Sequence, residues 1–257
     1  MIGNWGAGHR TRLGAAMLVA AIVACAGETK SNESNGSVVS GGSTKSSDAS
    51  PPARAAAPPS AEGSAARHTV LFVGTSLTAG LGLEPDSAYP MLIQRKIDSA
   101  GLPFDVVNAG VSGETSSGLL DRLDWLLRGK FDVMVVETGA NDGLRGLPVA
   151  SLRTNLARAL DRIRSARPDV QVALVQMEAL PNLGPKYAAS FHDVYPTLAK
   201  EKGVSLLPFL LVGVAGHREL NQGDGIHPNY VGERIVAANV WTGLKAVLVS
   251  VAQRQTP

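Results

Sequence analysis

Five short apolar runs recur along the chain: Thr69–Val73 (TVLFV), Phe104–Asn108 (FDVVN), Asp132–Glu137 (DVMVVE), Gln171–Gln176 (QVALVQ) and Val204–Leu207 (VSLL). Runs this short and this continuously apolar read as strands buried on both faces. Stretches with apolar residues at helical spacing follow them, near Tyr89–Ala100, Ser117–Leu127, Val149–Ala166, Ala188–Lys202 and Val231–Val249. Parallel strands need crossover helices, and those helices cover both faces of the sheet. The alternation therefore predicts an α/β fold, a three-layer α/β/α sandwich around a five-stranded parallel sheet.

The arrangement resembles a flavodoxin-like sheet. Ligands of such sheets bind outside the carboxyl ends of the strands, so the residues just after each run are where chemistry is expected. The balance of 44% hydrophobic and 18% charged residues is that of a globular chain with a sizeable core. With 24 Lys and Arg against 22 Asp and Glu, the net charge of +2 offers little attraction to polyanions, which argues against nucleic acid as a partner. The arginines between Arg145 and Arg167 alternate with Leu152, Leu156, Leu160 and Ile163 at helical spacing and read as a solvated helix face.

Ahead of the first strand, His9, Arg10 and Arg12 precede an apolar run, Leu13 to Ala24 (LGAAMLVAAIVA), that ends at the single cysteine, Cys25. One cysteine allows no intrachain disulfide and no CxxC site. The run falls short of the roughly 20 residues a membrane span needs and reads as an export signal. From Ala26 to about Arg67 the chain is rich in Ser, Gly, Ala and Pro, with too little apolar side chain to offset its ordering entropy, and is expected to be a flexible tether. The expected organisation is a signal at 1–25, a tether at 26–67 and a folded domain at 68–257.

Four segments carry candidate chemistry, three just after strands and one just before the last helix. After the first run, Gly74–Gly80 (GTSLTAG) presents Ser76; by itself, a serine in such a turn is usually a cap or turn former. After the second, Gly113 offers a backbone N–H to a bound oxygen, with a simple loop as the alternative that the segment alone favours. After the third, Asn141 offers a side-chain amide, with an ordinary Asx turn as the alternative. Near the end, Asp224 and His227 stand three residues apart (DGIHPN). A serine hydroxyl needs a base within hydrogen-bond reach, and that base needs a partner that fixes its tautomer. Pro228 is expected in the first turn of the last helix, which would place His227 near the positive end of the helix dipole. His68, His192 and His217 lack such a setting and read as surface or packing residues.

Taken together and in this order, the four segments resemble the SGNH hydrolases, also called GDSL esterases. Within that family GANDGLRGLP and GDGIHPN are most similar to the thioesterase I/lysophospholipase L1 and arylesterase branch. The resemblance implies a carboxylic ester hydrolase with Ser76 as nucleophile, His227 as base and Asp224 as its orienting carboxylate. It also implies an oxyanion hole formed by the Ser76 and Gly113 N–H groups and the Asn141 amide, with no metal or cofactor. Thr75 departs from the family pattern, standing where the GDSL aspartate would be. The α/β-hydrolase elbow GxSxG fits less well, because Thr78 occupies its last position.

Leu144, Leu147, Leu180, Pro181 and Leu183 follow the third and fourth runs and are candidates to line an acyl groove. The expected substrates are short to medium acyl esters, with acyl thioesters, lysophospholipids and arylesters in range. A carbohydrate or peptidoglycan O-acetylesterase and a noncatalytic envelope binding protein remain alternatives. Ile22–Cys25 (IVAC) resembles a bacterial lipobox, which implies acylation of Cys25 and a lipid-anchored protein of the cell envelope. Ala26, rather than aspartate, after that cysteine favours the outer membrane. An ordinary signal peptide with an incidental cysteine stays open, and nothing in the sequence indicates the oligomeric state.

Overall fold

The computed structural model describes residues 67–254. The expected signal segment, Cys25 and the tether up to residue 66 lie outside the described residues. Arg67, assigned to the tether by composition, hydrogen-bonds Asp105 (2.6 Å) and the Phe104 carbonyl (2.6 Å) and so packs with the sheet.

Five strands form one parallel sheet in the order β2-β1-β3-β4-β5: β1 (His68–Gly74), β2 (Phe104–Gly110), β3 (Val133–Val136), β4 (Gln171–Val175) and β5 (Ser205–Leu207). Every pairing is parallel, with Val70 opposite both Val106 and Val133. Among the described residues seven α-helices accompany them: α1 (Ser76–Ala79), α2 (Tyr89–Ser99), α3 (Ser116–Leu126), α4 (Ala140–Leu144), α5 (Val149–Ala166), α6 (Pro185–Lys202) and α7 (Tyr230–Arg254). The crossover through α2 runs from β1 to β2, whereas those through α3, α5 and α6 run the opposite way along the sheet. Right-handed crossovers therefore put α2 on one face and α3, α5 and α6 on the other. Helix α7 packs on α2, β4 and β5 and completes the first layer.

The core follows from the sequence pattern. Val70–Val73 of β1 and all of β3 are buried on both faces, and Leu152, Leu156, Leu160 and Ile163 form the buried stripe of α5. Helix α7 is long and apolar enough, by length and composition, to cross a membrane. Its residues Val236, Ala237, Val240, Leu244, Leu248 and Val251 instead make a buried stripe at helical spacing against the sheet and α2.

Candidate active site

The carboxyl ends of β1, β2 and β3 lie side by side, and the chain leaves each in a tight loop that carries a candidate residue. Gly74 ends β1, and Ser76 is the first residue of α1. Thr75 caps that helix, its hydroxyl accepting from the Leu77 N–H at 3.4 Å. The turn is fastened by Glu137, the residue after β3. Its carboxyl accepts from the Thr75 N–H (2.7 Å), the Thr75 hydroxyl (2.9 Å) and the Thr78 hydroxyl (2.9 Å), and the Thr78 hydroxyl lies 2.9 Å from that of Tyr89. All four side chains are buried.

A methyl group at position 74 would stand 2.1 Å from Thr78 Oγ1 and 2.6 Å from Glu137 Oε2, so the network closes only around glycine. Burial raises the pKa of Glu137, and the bonds from Thr75 and Thr78 pull it part of the way back. Thr75 thus occupies the aspartate position of the family pattern with a side chain that donates to this carboxyl. An aspartate there would oppose a second carboxyl group.

Residues 221–229 form the loop ahead of α7. Asn221 and Pro228 make an antiparallel bridge, and the Gln222 N–H donates to the His227 carbonyl at 2.7 Å. Gln222 Nε2 donates to the Leu81 carbonyl (2.7 Å) and to that of Pro228 (2.9 Å), tying this loop to the chain just beyond α1. Within it, Asp224 Oδ1 accepts from the Ile226 N–H (3.0 Å) and the His227 N–H (3.1 Å). Asp224 Oδ2 lies 2.7 Å from His227 Nδ1, and His227 Nε2 lies 2.8 Å from Ser76 Oγ.

A carboxylate that accepts from Nδ1–H leaves Nε2 free to accept the serine proton. Partial burial works against ionisation of Asp224. The bonds from the Ile226 N–H, the His227 ring and the His227 N–H outweigh it and hold the pKa down at about 2. The expectation for Pro228 is corrected. It sits in the bridge to Asn221, and α7 begins only at Tyr230, capped by Asn229 Oδ1 through the N–H groups of Val231 (3.0 Å) and Gly232 (3.1 Å). The imidazole is positioned by loop hydrogen bonds rather than by a helix terminus.

The loops after β2 and β3 are bonded to each other. Asn141 Nδ2 donates to the Glu114 carbonyl (2.9 Å), Arg145 Nη2 to the Gly113 carbonyl (2.9 Å), and buried Asp142 accepts the Ser116 N–H (2.8 Å) and hydroxyl (2.6 Å). Glu114 pairs with Arg122 through two bonds of 2.5 and 2.8 Å. Gly113 adopts φ +79°, a conformation that favours glycine. Neither the Ser76 nor the Gly113 N–H donates to any described residue, and Asn141 keeps one amide hydrogen unused. Among the described residues, no group of three or more His, Cys, Asp or Glu side chains is placed to hold a metal ion.

A cavity of about 90 Å³ opens beside Ser76 and His227, its wall including Leu77, Leu144, Met177, Leu180, Phe209 and Leu211. Of the expected groove residues, Leu144 and Leu180 are on this wall. Leu147, Pro181 and Leu183 are not: Pro181–Leu183 winds into a 3-10 turn, and Leu183 lies against Gly146. Gly113 is also outside the wall and joins the site through its loop. His68 pairs with Asp132 and packs at a tilt against Phe104, His217 faces Glu219, and His192 holds Glu178, itself a wall residue.

Sequence reasoning missed Glu137, Gln222, Glu178 and the wall contributed by residues 209–216. A carboxylate closing the apolar run DVMVVE was the one available signal for Glu137. The loop after β5 carries no motif.

The GDSL-like Lipase/Acylhydrolase family model matches residues 72–235. The esterase TesA of Pseudomonas aeruginosa is 40% identical over 185 residues, 72% of this chain and 91% of that protein. The thioesterase 1/protease 1/lysophospholipase L1 of Escherichia coli K12 is 38% identical over 175 residues, 68% and 82% of the two chains. A crystal structure of TesA superposes with a TM-score of 0.67 at 39% identity, covering 70% of this chain and 99% of its own.

Proposed function

The chain belongs to the GDSL-like lipase/acylhydrolase family and is a serine esterase, and we propose that it works through Ser76, His227 and Asp224. The carrying observation is the hydrogen-bonded chain from Asp224 through His227 to Ser76, of 2.7 and 2.8 Å. As Ser76 Oγ bonds to the ester carbonyl carbon, its proton passes to Nε2 of His227, and Asp224 stabilises the imidazolium. His227 returns that proton to the alkoxide as the carbon–oxygen bond breaks. Water then attacks the acyl-serine with the same base and frees the acid. The carbonyl oxygen, which becomes anionic, is taken by the Ser76 and Gly113 N–H groups and the free hydrogen of the Asn141 amide.

The apolar cavity, with Leu144 and Leu180 on its wall, supports short to medium acyl chains as substrates. Acyl thioesters and lysophospholipids fall within the same class, in keeping with the name of the E. coli relative. A panel of nitrophenyl esters of rising chain length, run beside acetylated glycans, tests this reading. Turnover that peaks at short to medium acyl chains supports it. Strict preference for acetylated sugars contradicts it.

Acylation of Cys25, with a tether holding the domain at an envelope membrane and the outer membrane favoured, is a further part of the proposal. It is supported by the IVAC segment and the apolar run before it. Mass spectrometry of the mature N-terminus is expected to find lipid on Cys25. A soluble form beginning beyond it would contradict the anchor.

A further inference from the structure

The cavity beside Ser76 is apolar except for a few groups, and those outside the proposed triad and oxyanion hole include acceptors with unused capacity. Glu178, just beyond β4, is the one acidic residue among those lining the wall, no lysine or arginine lines it, and the same side chain borders an adjoining groove with Gln176 and His192. Its side chain is 31% exposed, and both of its hydrogen bonds converge on Oε1, from His192 Nδ1 at 2.7 Å and Gln176 Nε2 at 3.2 Å. Gln176 Nε2 shares its two hydrogens between that oxygen and the Met177 and His192 carbonyls (3.1 and 3.2 Å). No described residue donates to Oε2.

Asn221, also on the wall, commits its amide hydrogens to the Val214 and His217 carbonyls, each at 2.8 Å, and its buried Oδ1 has no partner. Arg145 lies outside the wall and is held by the Gly113 carbonyl.

We propose that Glu178 is a specificity-determining residue that makes the acyl pocket reject acyl groups carrying a carboxylate and accept uncharged ones. The proposal rests on the reading of this cavity as the acyl site of a serine esterase. An anionic acyl group entering here loses water, meets acceptors that cannot donate to it, and faces a like charge clamped at Oε1 so that it cannot easily swing aside. Uncharged chains meet mainly the apolar wall. Two like charges several ångströms apart in a partly solvated pocket cost roughly a tenfold loss of kcat/KM.

The test compares kcat/KM for ethyl butyrate and monoethyl succinate, in low and high salt, on the full chain and on the Glu178→Gln and Glu178→Lys variants. Reading the ratio of the two substrates cancels any general effect of the substitution on turnover or folding yield. The wild-type ratio is expected to favour butyrate by about tenfold or more, to shrink in high salt and in Glu178→Gln, and to shift further toward the succinate half-ester in Glu178→Lys. Turnover of ethyl butyrate without discrimination, or a ratio unmoved by both variants, overturns the role of Glu178 and leaves the serine-esterase reading standing. Turnover of neither ester by the wild type overturns both.

Discussion

His227 Nε2 stands 2.8 Å from Ser76 Oγ across a sequence separation of 151 residues. The contact depends on the Gln222 amide, which holds the histidine loop to the chain beyond α1, and on Asp224, which fixes the ring from its other side.

Asp224→Asn keeps the shape of the side chain but replaces an ionised acceptor with an amide, so Nδ1 no longer faces a carboxylate. A fall in kcat of up to about 10⁴, with KM changed far less, is expected in steady-state kinetics. Because Asp224 stays ionised down to about pH 2, its own titration does not contribute to loss of activity on mild acidification. A kcat within a few-fold of wild type would remove Asp224 from the mechanism.

Asn141→Ala takes away one proposed oxyanion donor together with the bond to the Glu114 carbonyl. The loss should fall on kcat, by about 10²–10³, because the donor acts on charge that develops only in the transition state. A change confined to KM would assign Asn141 to ground-state binding instead.

Thr75→Asp restores the family's aspartate but sets a carboxyl against Glu137, which already accepts from Thr75 and Thr78. Two carboxyl groups at this distance cannot both ionise cheaply. Thermal melts should therefore show the variant losing stability relative to wild type as pH rises. An equal difference at low and high pH would mean that the two carboxyl groups do not interact.

Glu233, in the first turn of α7, accepts from the Tyr89 N–H at 2.7 Å, and burial pushes its pKa up from 4.5 to about 8. Between those values the folded chain keeps a proton that the unfolded chain has released. The stability linked to this group is complete below about pH 4.5 and declines as pH rises toward 8, by at most ~1.4 kcal/mol per pH unit. Glu233→Gln keeps an acceptor for Tyr89 and removes the titration. Its melting temperature should gain on wild type from pH 5 to pH 8.5; parallel curves would show that Glu233 does not titrate in this window.

The sheet and its crossover helices were legible in the sequence because buried parallel strands leave unbroken apolar runs, and α5 was placed to the residue by its leucine stripe. Ser76, Asn141, Asp224 and His227 were legible as a set for a different reason: each follows a strand or precedes the last helix, and the four occur in a recognisable order. Helices α1 and α4 were not foreseen, since four or five residues carry no periodicity. Pro228 misled because proline suits a bridge as well as a first helical turn. Glu137 and Glu178 act through partners distant in sequence or across a loop, Thr75 at 62 residues and His192 at 14, and no local pattern announces such pairs.

The most direct measurement is fluorophosphonate labelling of the purified protein read beside ester turnover, for wild type and for Ser76→Ala. Wild type should take one label on Ser76 and hydrolyse the ester, while a folded Ser76→Ala should take none and turn over nothing measurable. Labelling or turnover retained in folded Ser76→Ala would contradict Ser76 as the nucleophile.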